Sequence, residues 1–197
     1  YEKHNQHYKY CIALNPCFTA NGSTFKIESS WGVATVSLPL IGKFNIANVL
    51  TAFSSLLLQG VSFERLVEAV PLLRGVPGRM EVFESIKYGN IIVDYAHTPD
   101  ALEQALLAAR QHVTGKLTVI FGCGGNRDNS KRSQMGKIAE RCADEVILTQ
   151  DNSRNELPED IIADIQQGIH QKSKLKIELD RTSAIKQAYL NSHTDDL

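Results

Sequence analysis

The sequence predicts an α/β protein whose larger part is a doubly wound, Rossmann-like and mostly parallel sheet. Two observations lead to this fold class. From residue 90 onward, short apolar segments alternate with longer segments of helical periodicity, an order that requires right-handed βαβ crossovers. Before residue 75, three β-branched segments are followed by two amphipathic ones, which predicts the strand and helix end of a separate domain.

The composition is typical of a globular, cytoplasmic protein. With 197 residues, the chain is long enough for one complete domain and part of another, and 43% hydrophobic residues against 22% charged ones indicate a folded chain. A net charge of −1 provides no attraction to nucleic acid or to an anionic membrane. No apolar run approaches the roughly 20 residues that span a bilayer, and the polar first residues predict no signal peptide. We therefore expect neither nucleic acid nor membrane as a partner.

The spacing of the cysteines predicts reduced thiols rather than disulfides or a metal site. No two of them have CxxC spacing, as is common in cytoplasmic proteins. His4, His7, Cys11 and Cys17 lie close in sequence, but their spacing fits no familiar zinc pattern. We interpret them as ordinary surface and strand residues, and we predict no metal ligands in this chain.

The first domain is predicted to contain three strands followed by two helices. The strands are marked by β-branched and aromatic residues between turn signals, and they are Tyr10–Leu14, Thr24–Ile27 and Val33–Val36. From Asn45 apolar residues recur at helical spacing, and Gly60 stands where a C-cap glycine belongs. A second helix is predicted over Phe63–Leu72, with Ser62 as its N-cap.

A linker at Arg74–Gly78, with two glycines and a proline, separates the predicted domains, 1–74 and 79–197. Beyond it four apolar segments are predicted as parallel strands: Asn90–Asp94, Leu117–Phe121, Glu145–Thr149 and Leu175–Leu179. Helices are predicted to follow each strand, the first from an N-cap at Thr98 to about Val113. The others are Ser133–Cys142, Pro158–His170 and Ser183–Asn191.

Charged and polar residues follow these strands at their carboxyl ends, where the loops of a parallel sheet converge and bind ligands. They include Asp94–His97, the run from Gly122 to Asp128 with Lys131 and Arg132, Asp151–Arg154, and Asp180 with Arg181. Turn formation explains Asp and Asn after strands in isolation. Arg127 and Arg154 are different, because two guanidinium groups on one edge indicate an anionic ligand group.

The glycine-rich run between Gly122 and Arg127 matches no common nucleotide motif. Arg127 stands where a dinucleotide-binding GxGxxG sequence has its third glycine, and the GxxxxGK[ST] pattern of a P-loop is missing. Three glycines still let the backbone approach a ligand closely. Nearby, His97 has two interpretations, a buried histidine with its hydrogen bonds satisfied or a site residue, and its chemistry alone favours the first. The residues by themselves thus predict an edge that binds an anion-bearing small molecule.

Five short motifs occur along the chain. They are Gly42–Asn48, Gly78–Glu81, Asp94–Asp100, Phe121–Asp128 with Lys131 and Arg132, and Asp151–Arg154. Their order is that seen in the Mur ligase family, and the set resembles UDP-N-acetylmuramoyl-tripeptide synthetases. The resemblance runs from about Trp31 to the C-terminus.

The resemblance implies a ligase of peptidoglycan synthesis that uses ATP and Mg²⁺. In that family the free carboxylate of UDP-MurNAc-L-Ala-D-Glu is converted to an acyl phosphate, and the amine of meso-diaminopimelate displaces the phosphate to form an amide. The implied protein is a cytoplasmic monomer with a role in cell shape and cell division. Its central, ATP-binding domain would end in residues 1–74, and its C-terminal domain would begin at residue 79.

The resemblance also assigns roles to residues on the nucleotide side. Asn45 and Asn48 match asparagines on the adenine side of the central domain. Arg79 matches a linker arginine that reaches the phosphates of ATP, where a guanidinium neutralises developing charge. Asp94 matches an aspartate that contacts the nucleotide. With Lys131, Arg79 and Asp94 are the predicted catalytic residues.

The same resemblance places the amino-acid pocket at Arg127, Asp151, Asn152, Ser153 and Arg154. Arg154 matches the arginine that pairs with the distal carboxylate of meso-diaminopimelate, a group that lysine lacks, so it predicts meso-diaminopimelate over L-lysine. Ser153 departs from the pattern, because the family has proline at this position. We expect the serine to loosen the loop without removing its charge.

Other parts of the resembled ligases have no counterpart in this sequence. The UDP-binding domain, the ATP phosphate loop and a carbamylated lysine that helps to hold magnesium lie upstream, and a Gly-Lys-Gly-His-Glu segment lies downstream of Leu197. We therefore expect the 197 residues alone to have no ligase activity. The alternatives are a binding module for amino acid or nucleotide, and a ligase of another Mur or folylpolyglutamate step. A nicotinamide dehydrogenase is opposed by Arg127.

Overall fold

A computed structural model of the chain describes residues 8–197 and divides into two compact units, the second of which is Val76–Leu197. The division lies inside the glycine- and proline-containing linker. His4 and His7 fall outside the described residues. None of the helices that the structure describes is long and apolar enough to cross a membrane.

The first unit is a three-stranded antiparallel meander, β1 (Cys11–Thr19), β2 (Gly22–Ser29) and β3 (Gly32–Leu38), followed by two helices, α1 (Lys43–Leu58) and α2 (Phe63–Ala69). A single turn of 3-10 helix, Val70–Leu72, ends it. Apolar residues of β2, β3, α1 and α2 form its core, in which the rings of Phe53 in α1 and Phe63 in α2 meet edge to face with centroids 5.6 Å apart. Burial of this apolar surface is the main stabilising contribution.

The second unit begins with a two-stranded antiparallel hairpin, β4 (Glu81–Phe83) and β5 (Ile91–Val93). Three parallel strands follow in the order β6 (Thr118–Phe121), β7 (Glu145–Leu148) and β8 (Leu175–Ile177). The helices of this unit are α3 (Pro99–Arg110), α4 (Ser130–Cys142), α5 (Pro158–Gln166) and α6 (Arg181–Leu190).

Two glycines bring α4 and α5 unusually close together. A Cβ atom on Gly136 would lie 2.1 Å from the carbonyl oxygen of Ile165, and one on Gly168, just after α5, would lie 1.9 Å from that of Ser133. No side chain fits in either place. The close contact fixes the first turn of α4, which carries Lys131 and Arg132, against the C-terminal end of α5.

The predicted α/β class and the parallel sheet are confirmed, but one strand is placed differently. The segment around Ile91–Val93 was expected to begin the parallel sheet, and instead it pairs antiparallel with β4, a strand that the sequence did not predict. The backbone groups beside the start of β6 are taken by the last residues: Leu197 N–H donates to Lys116 O (2.9 Å), and Thr118 N–H donates to Leu197 O (2.8 Å). The strand order of the parallel sheet is β6-β7-β8, so successive strands are added on one side only. A doubly wound sheet also adds strands on the other side, and among residues 8–197 no such strand is formed.

Most predicted helix ends are confirmed to within a few residues. The Thr98 hydroxyl caps α3 by accepting a hydrogen bond from Ala101 N–H, as predicted. Ser62 does precede α2, but its side chain makes no capping hydrogen bond. Helix α4 begins at Ser130, three residues earlier than predicted, and α5 ends at Gln166 rather than at His170.

Candidate functional site

Asp94, directly after β5, joins two turns through its carboxylate. Its Oδ2 accepts a hydrogen bond from Met80 N–H (2.9 Å), and its Oδ1 accepts one from Ala96 N–H (2.9 Å). Met80 has a φ of 46°, in the left-handed region that few residues other than glycine adopt. Asp94 therefore holds the turn that carries Arg79 against the loop that follows β5.

Arg79 lies over the ring of Tyr95, with its guanidinium carbon 4.4 Å from the ring centroid. Both side chains are exposed, and the stacking contributes roughly 0.5–1 kcal/mol at such a site. In the part of the chain that the structure describes, no carboxylate pairs with Arg79. Its N–H groups are thus open to an anionic ligand such as a phosphate.

Lys131, in the first turn of α4, reaches the same loop. Its Nζ donates to the carbonyl oxygen of His97 (2.7 Å). The His97 ring is held in turn, with Nδ1 3.0 Å from Tyr95 O and its edge against the Tyr95 ring. His97 is exposed, so the interpretation of a buried histidine is wrong. The structure thus brings the three predicted catalytic residues into one group, which we call the Asp94 cluster: Arg79, Asp94, Tyr95, His97 and Lys131.

The loops after β6 and β7, residues 122–128 and 150–156, are joined along their length; we call them the paired loops. Gly125 N–H donates to Asn152 O (2.9 Å), and Asn155 N–H donates to the Asn126 side-chain oxygen (3.1 Å). A Cβ atom on Gly125 would lie 1.9 Å from Ser153 O, so only glycine permits this approach. This is the structural role of the glycine-rich run.

Two residues in the paired loops have left-handed backbone conformations, Asn126 with φ 52° and Arg154 with φ 51°. Such a conformation costs an arginine about 1 kcal/mol or more, and it persists where the surroundings hold it. Here the Arg154 guanidinium donates through Nη1 to Gly125 O (2.7 Å). Side chain and backbone of Arg154 are therefore both positioned by the opposite loop.

The cations of the paired loops are left without counter-charge. Within residues 8–197, neither Arg127 nor Arg154 forms an ion pair, and both are exposed. Asp151 and Asn152 are exposed beside them, whereas Ser153 is buried, with its hydroxyl 3.5 Å from Asp151 O. The predicted pocket residues are thus brought together on one pair of loops. Two open guanidinium groups there suit a carboxylate.

Two charged residues were not predicted as site residues: Glu156 at the end of the loop after β7, and Arg132 in the first turn of α4. Arg132, next to Lys131, is 1% exposed and forms ion pairs with Glu156 (2.8 Å) and Asp164 (2.9 Å). Glu156 also accepts a hydrogen bond from Asn126 N–H. The hydrogen bonds from Arg132 and from Asn126 lower the pKa of Glu156, since both favour its charged form. In the sequence Glu156 looks like an ordinary acid before a helix.

In the first unit, Asn45 and Asn48 lie three residues apart in the first two turns of α1. Asn45 Nδ2 donates to Ile41 O (2.8 Å), and Asn48 Nδ2 lies 3.3 Å from Asn45 Oδ1. Asn45 is thus fixed by the backbone before the helix, while Asn48 is exposed. The two predicted adenine-side residues are neighbours on one helix turn.

No group of three or more His, Cys, Asp or Glu side chains in the described ranges is arranged to hold a metal ion. The oxygens of Asp94 are already occupied by backbone N–H groups. The residues present therefore do not supply a magnesium site.

The chain resembles several proteins of known name. It is 47% identical over 178 residues to UDP-N-acetylmuramoyl-L-alanyl-D-glutamate–2,6-diaminopimelate ligase from Coxiella burnetii, covering 90% of this chain and 36% of that protein. It is 44% identical over 185 residues to the ligase of the same name from Vibrio vulnificus, covering 94% of this chain and 38% of that protein. The chain therefore spans between a third and two fifths of the length of these relatives.

Solved structures of two ligases resemble this chain in fold. A diaminopimelate ligase of the same name superposes with a TM-score of 0.75 at 39% identity, covering 98% of this chain and 39% of that one. A folylpolyglutamate synthase from Thermotoga maritima shares the fold, with a TM-score of 0.71 at 17% identity, covering 94% of this chain and 42% of that one. Residues 78–197, which carry both the Asp94 cluster and the paired loops, match the glutamate ligase domain of Mur ligases, and the chain belongs to that family.

Proposed function

We propose that this chain is part of an ATP-dependent ligase that adds meso-diaminopimelate to UDP-MurNAc-L-Ala-D-Glu in peptidoglycan synthesis. The observation that carries the proposal is the Arg154 guanidinium, which the paired loops position and which has no carboxylate partner within residues 8–197. The names of the relatives support the same reaction. The first unit would be the end of the central domain, and the second the C-terminal domain.

In the reaction, a free carboxylate oxygen of the dipeptide attacks the γ-phosphorus of ATP, ADP leaves, and an acyl phosphate forms. The amine of meso-diaminopimelate attacks this carbonyl carbon, a tetrahedral intermediate forms, and phosphate leaves as the amide bond closes. Negative charge grows on the phosphate oxygens as this happens. Arg79 and Lys131 are the cations of the Asp94 cluster, and their proposed role is to neutralise that charge.

Each remaining site residue has a proposed role. Asp94 holds the Arg79 turn and contributes its charge on the nucleotide side, while Asn45 and Asn48 contact adenine. Arg127 and the stretch Asp151–Arg154 bind the amino acid: the acid and amide groups face its ammonium and carboxylate, and Arg154 takes the distal carboxylate. The Mg²⁺ of the reaction is assigned to no residue of this chain. The proposed setting is a cytoplasmic monomer acting in cell-wall synthesis and cell division.

Selectivity follows from the charge of Arg154. Lysine ends in an ammonium group, which Arg154 repels, whereas meso-diaminopimelate adds a carboxylate there. A site with a positioned polar group rejects ligands that leave the group unpaired, and we expect at least about a hundredfold preference for meso-diaminopimelate.

The test is competition between the two amino acids in a complete ligase that carries these 197 residues. Arg154→Ala should reduce the preference for meso-diaminopimelate about a hundredfold while changing lysine use little. Arg141→Ala is the matched control, since Arg141 is an exposed arginine paired with Glu103 away from the loops, and it should leave the preference unchanged. Equal use of both amino acids by the unaltered ligase contradicts the proposal.

The 197 residues alone are proposed to form no amide, because they span less than two fifths of the relatives' length. The measurement is phosphate release and product formation by the purified chain with all three substrates. Calorimetric titration with ATP and with meso-diaminopimelate then distinguishes a part of a ligase from an independent binding module, which should hold one of these ligands weakly by itself and without turnover. Turnover by this chain would refute the expectation.

A further inference from the structure

We propose that Arg132, acting through Glu156, is a positioning residue that holds the paired loops in the arrangement that presents Arg154. The inference rests on the proposed function in taking the paired loops as the amino-acid pocket. The proposal assigns neither Arg132 nor Glu156 a contact with the amino acid. Both act through the backbone of the loops.

The contacts of Arg132 span both loops and the helix behind them. Its Nη1 lies 2.8 Å from Glu156 Oε2 and 2.9 Å from Asp164 Oδ2, and its Nη2 donates to Gly124 O at 3.5 Å. Gly124 belongs to the loop after β6, and Glu156 to the loop after β7. One buried guanidinium therefore connects the two loops from inside the protein.

Glu156 carries the connection to the pocket side. Its Oε1 accepts the N–H of Asn126, one of the two residues with a left-handed backbone. The Asn126 side chain accepts Asn155 N–H, and Gly125, the residue before it, accepts the Arg154 guanidinium. The order of contacts is thus Arg132 to Glu156, Glu156 to the N–H of Asn126, and the carbonyl of the adjacent Gly125 to Arg154.

A cation at this place is not explained by stability alone. Burying a guanidinium costs several kcal/mol before its partners offset the cost, and apolar residues of similar volume often stabilise a fold as well. What Arg132 adds is direction: its planar guanidinium group can bond to a carbonyl and to two carboxylates at once, which an apolar side chain cannot. Two left-handed residues in facing loops need such external support, because their conformation is unfavourable in isolation.

The two carboxylates that pair with Arg132 allow a test of whether it positions the loops or only has its charge neutralised. Glu156 contacts Asn126 in the paired loops, whereas Asp164 lies within α5 and also accepts a hydrogen bond from Gln167, just after that helix. Glu156→Gln and Asp164→Asn each remove one negative charge from the same guanidinium. They are matched variants that differ in contact with the loops.

The kinetic test uses the complete ligase. Glu156→Gln should raise the KM for meso-diaminopimelate by about ten- to a hundredfold, the scale of a small misplacement of a binding group, with the KM for ATP within about twofold. Asp164→Asn should leave both KM values within about twofold. Arg132→Lys keeps the charge without the fork and should resemble Glu156→Gln. Equal effects of Glu156→Gln and Asp164→Asn, or a change confined to melting temperature, would overturn the proposal.

A second measurement does not depend on the substrate. Amide hydrogen exchange on the 197-residue chain should show faster exchange at Gly125, Asn126 and Asn155 in Glu156→Gln, and unaltered exchange there in Asp164→Asn. If the complete ligase fails to prefer meso-diaminopimelate while Glu156→Gln still releases these amides, the substrate assignment fails and the positioning role stands. Unaltered exchange in Glu156→Gln overturns the positioning role, whatever the substrate.

Discussion

The Asp94 cluster and the paired loops both present arginines that form no ion pair with any described residue, but they hold these arginines in different ways. Arg79 rests on an exposed tyrosine ring, and the side chain is otherwise open to solvent. Arg154 is bonded to the backbone of the opposite loop, and that loop is braced from inside by a buried ion pair. In the proposed function, the first arrangement would let Arg79 move with the charge of a transferred phosphate group. The second would keep Arg154 in one place, where it can discriminate between ligands.

Helix α4 serves both regions from its first turn. Lys131 reaches the loop after β5, and Arg132, one residue later, turns inward to the paired loops. Successive residues of a helix point about 100° apart, so adjacent side chains can be directed to two different places. Four changes test whether the paired loops are held more rigidly than the Asp94 cluster, and they differ in the size of the expected effect.

The largest effect is expected from Gly125→Ala, because the added Cβ would lie 1.9 Å from Ser153 O. The loops must separate, and the free energy of unfolding should fall by about 3 kcal/mol or more, as for severe steric overlap in a packed site. Urea unfolding of the chain measures this. Gly124→Ala is the control, since its Cβ would be 3.6 Å from the nearest atom and should cost less than about 1 kcal/mol. Similar losses for the two variants would contradict the close-approach argument.

Asp94→Asn should have the next largest effect, because an amide retains one acceptor and turns an NH₂ group toward a backbone N–H that Asp94 now accepts. The loss of one charge-assisted hydrogen bond predicts a decrease of about 1–3 kcal/mol in the free energy of unfolding. Asp100→Asn, in the first turn of α3, should cost less than about 1 kcal/mol. If Asp94→Asn unfolds like the unaltered chain, the carboxylate does not hold the Arg79 turn.

A pH dependence is expected at the paired loops. The hydrogen bonds from Arg132 and Asn126 lower the pKa of Glu156 below its ordinary value. A depressed folded-state pKa means that the contribution of Glu156 is fully present above the ordinary glutamate range, near pH 4.3, and is lost as the pH falls through the lowered pKa. Amide exchange at Asn126, corrected for intrinsic rates, should therefore accelerate only in that acidic window, and Glu156→Gln should remove the step. A step at neutral pH would contradict the assignment.

The smallest effect is expected from Tyr95→Leu, which removes the ring beneath Arg79. The stacking is worth roughly 0.5–1 kcal/mol, so the KM for ATP in the complete ligase should rise about two- to fivefold. Tyr95→Phe keeps the ring and should behave as the unaltered protein. A large effect of Tyr95→Phe would mean that the hydroxyl, and not the ring, matters.

Local patterns predicted most elements correctly. The Thr98 cap and the proline after it mark the start of α3, and the apolar runs mark β6, β7 and β8. The sequence did not predict β4, because three residues contain too little alternation to distinguish a strand. Nor did it show that β5 pairs with β4 rather than with the parallel sheet, since strand partners depend on contacts made far along the chain.

Candidate site residues were predictable where chemistry and motif agree. Arg127 and Arg154 stand out as charged residues at strand ends, and the structure places them on the same pair of loops. Arg132 was noted among the charged residues after β6 but was given no role, and Glu156 was not noted, because they are 24 positions apart in the sequence and each looks like a solvated charge when considered alone. Only their position in space shows that one is buried by the other.

By itself, the sequence determined the fold class, the linker between two parts, the family and the kinds of groups that line the second unit. Periodicity, capping residues and strand-end motifs are local, and local preferences are written directly in residue order. Tertiary structure alone decided which charges are neutralised inside and which remain open at the surface. The reason is physical: an ion pair depends on the distance between two side chains and on the water around them, and both are properties of the folded chain.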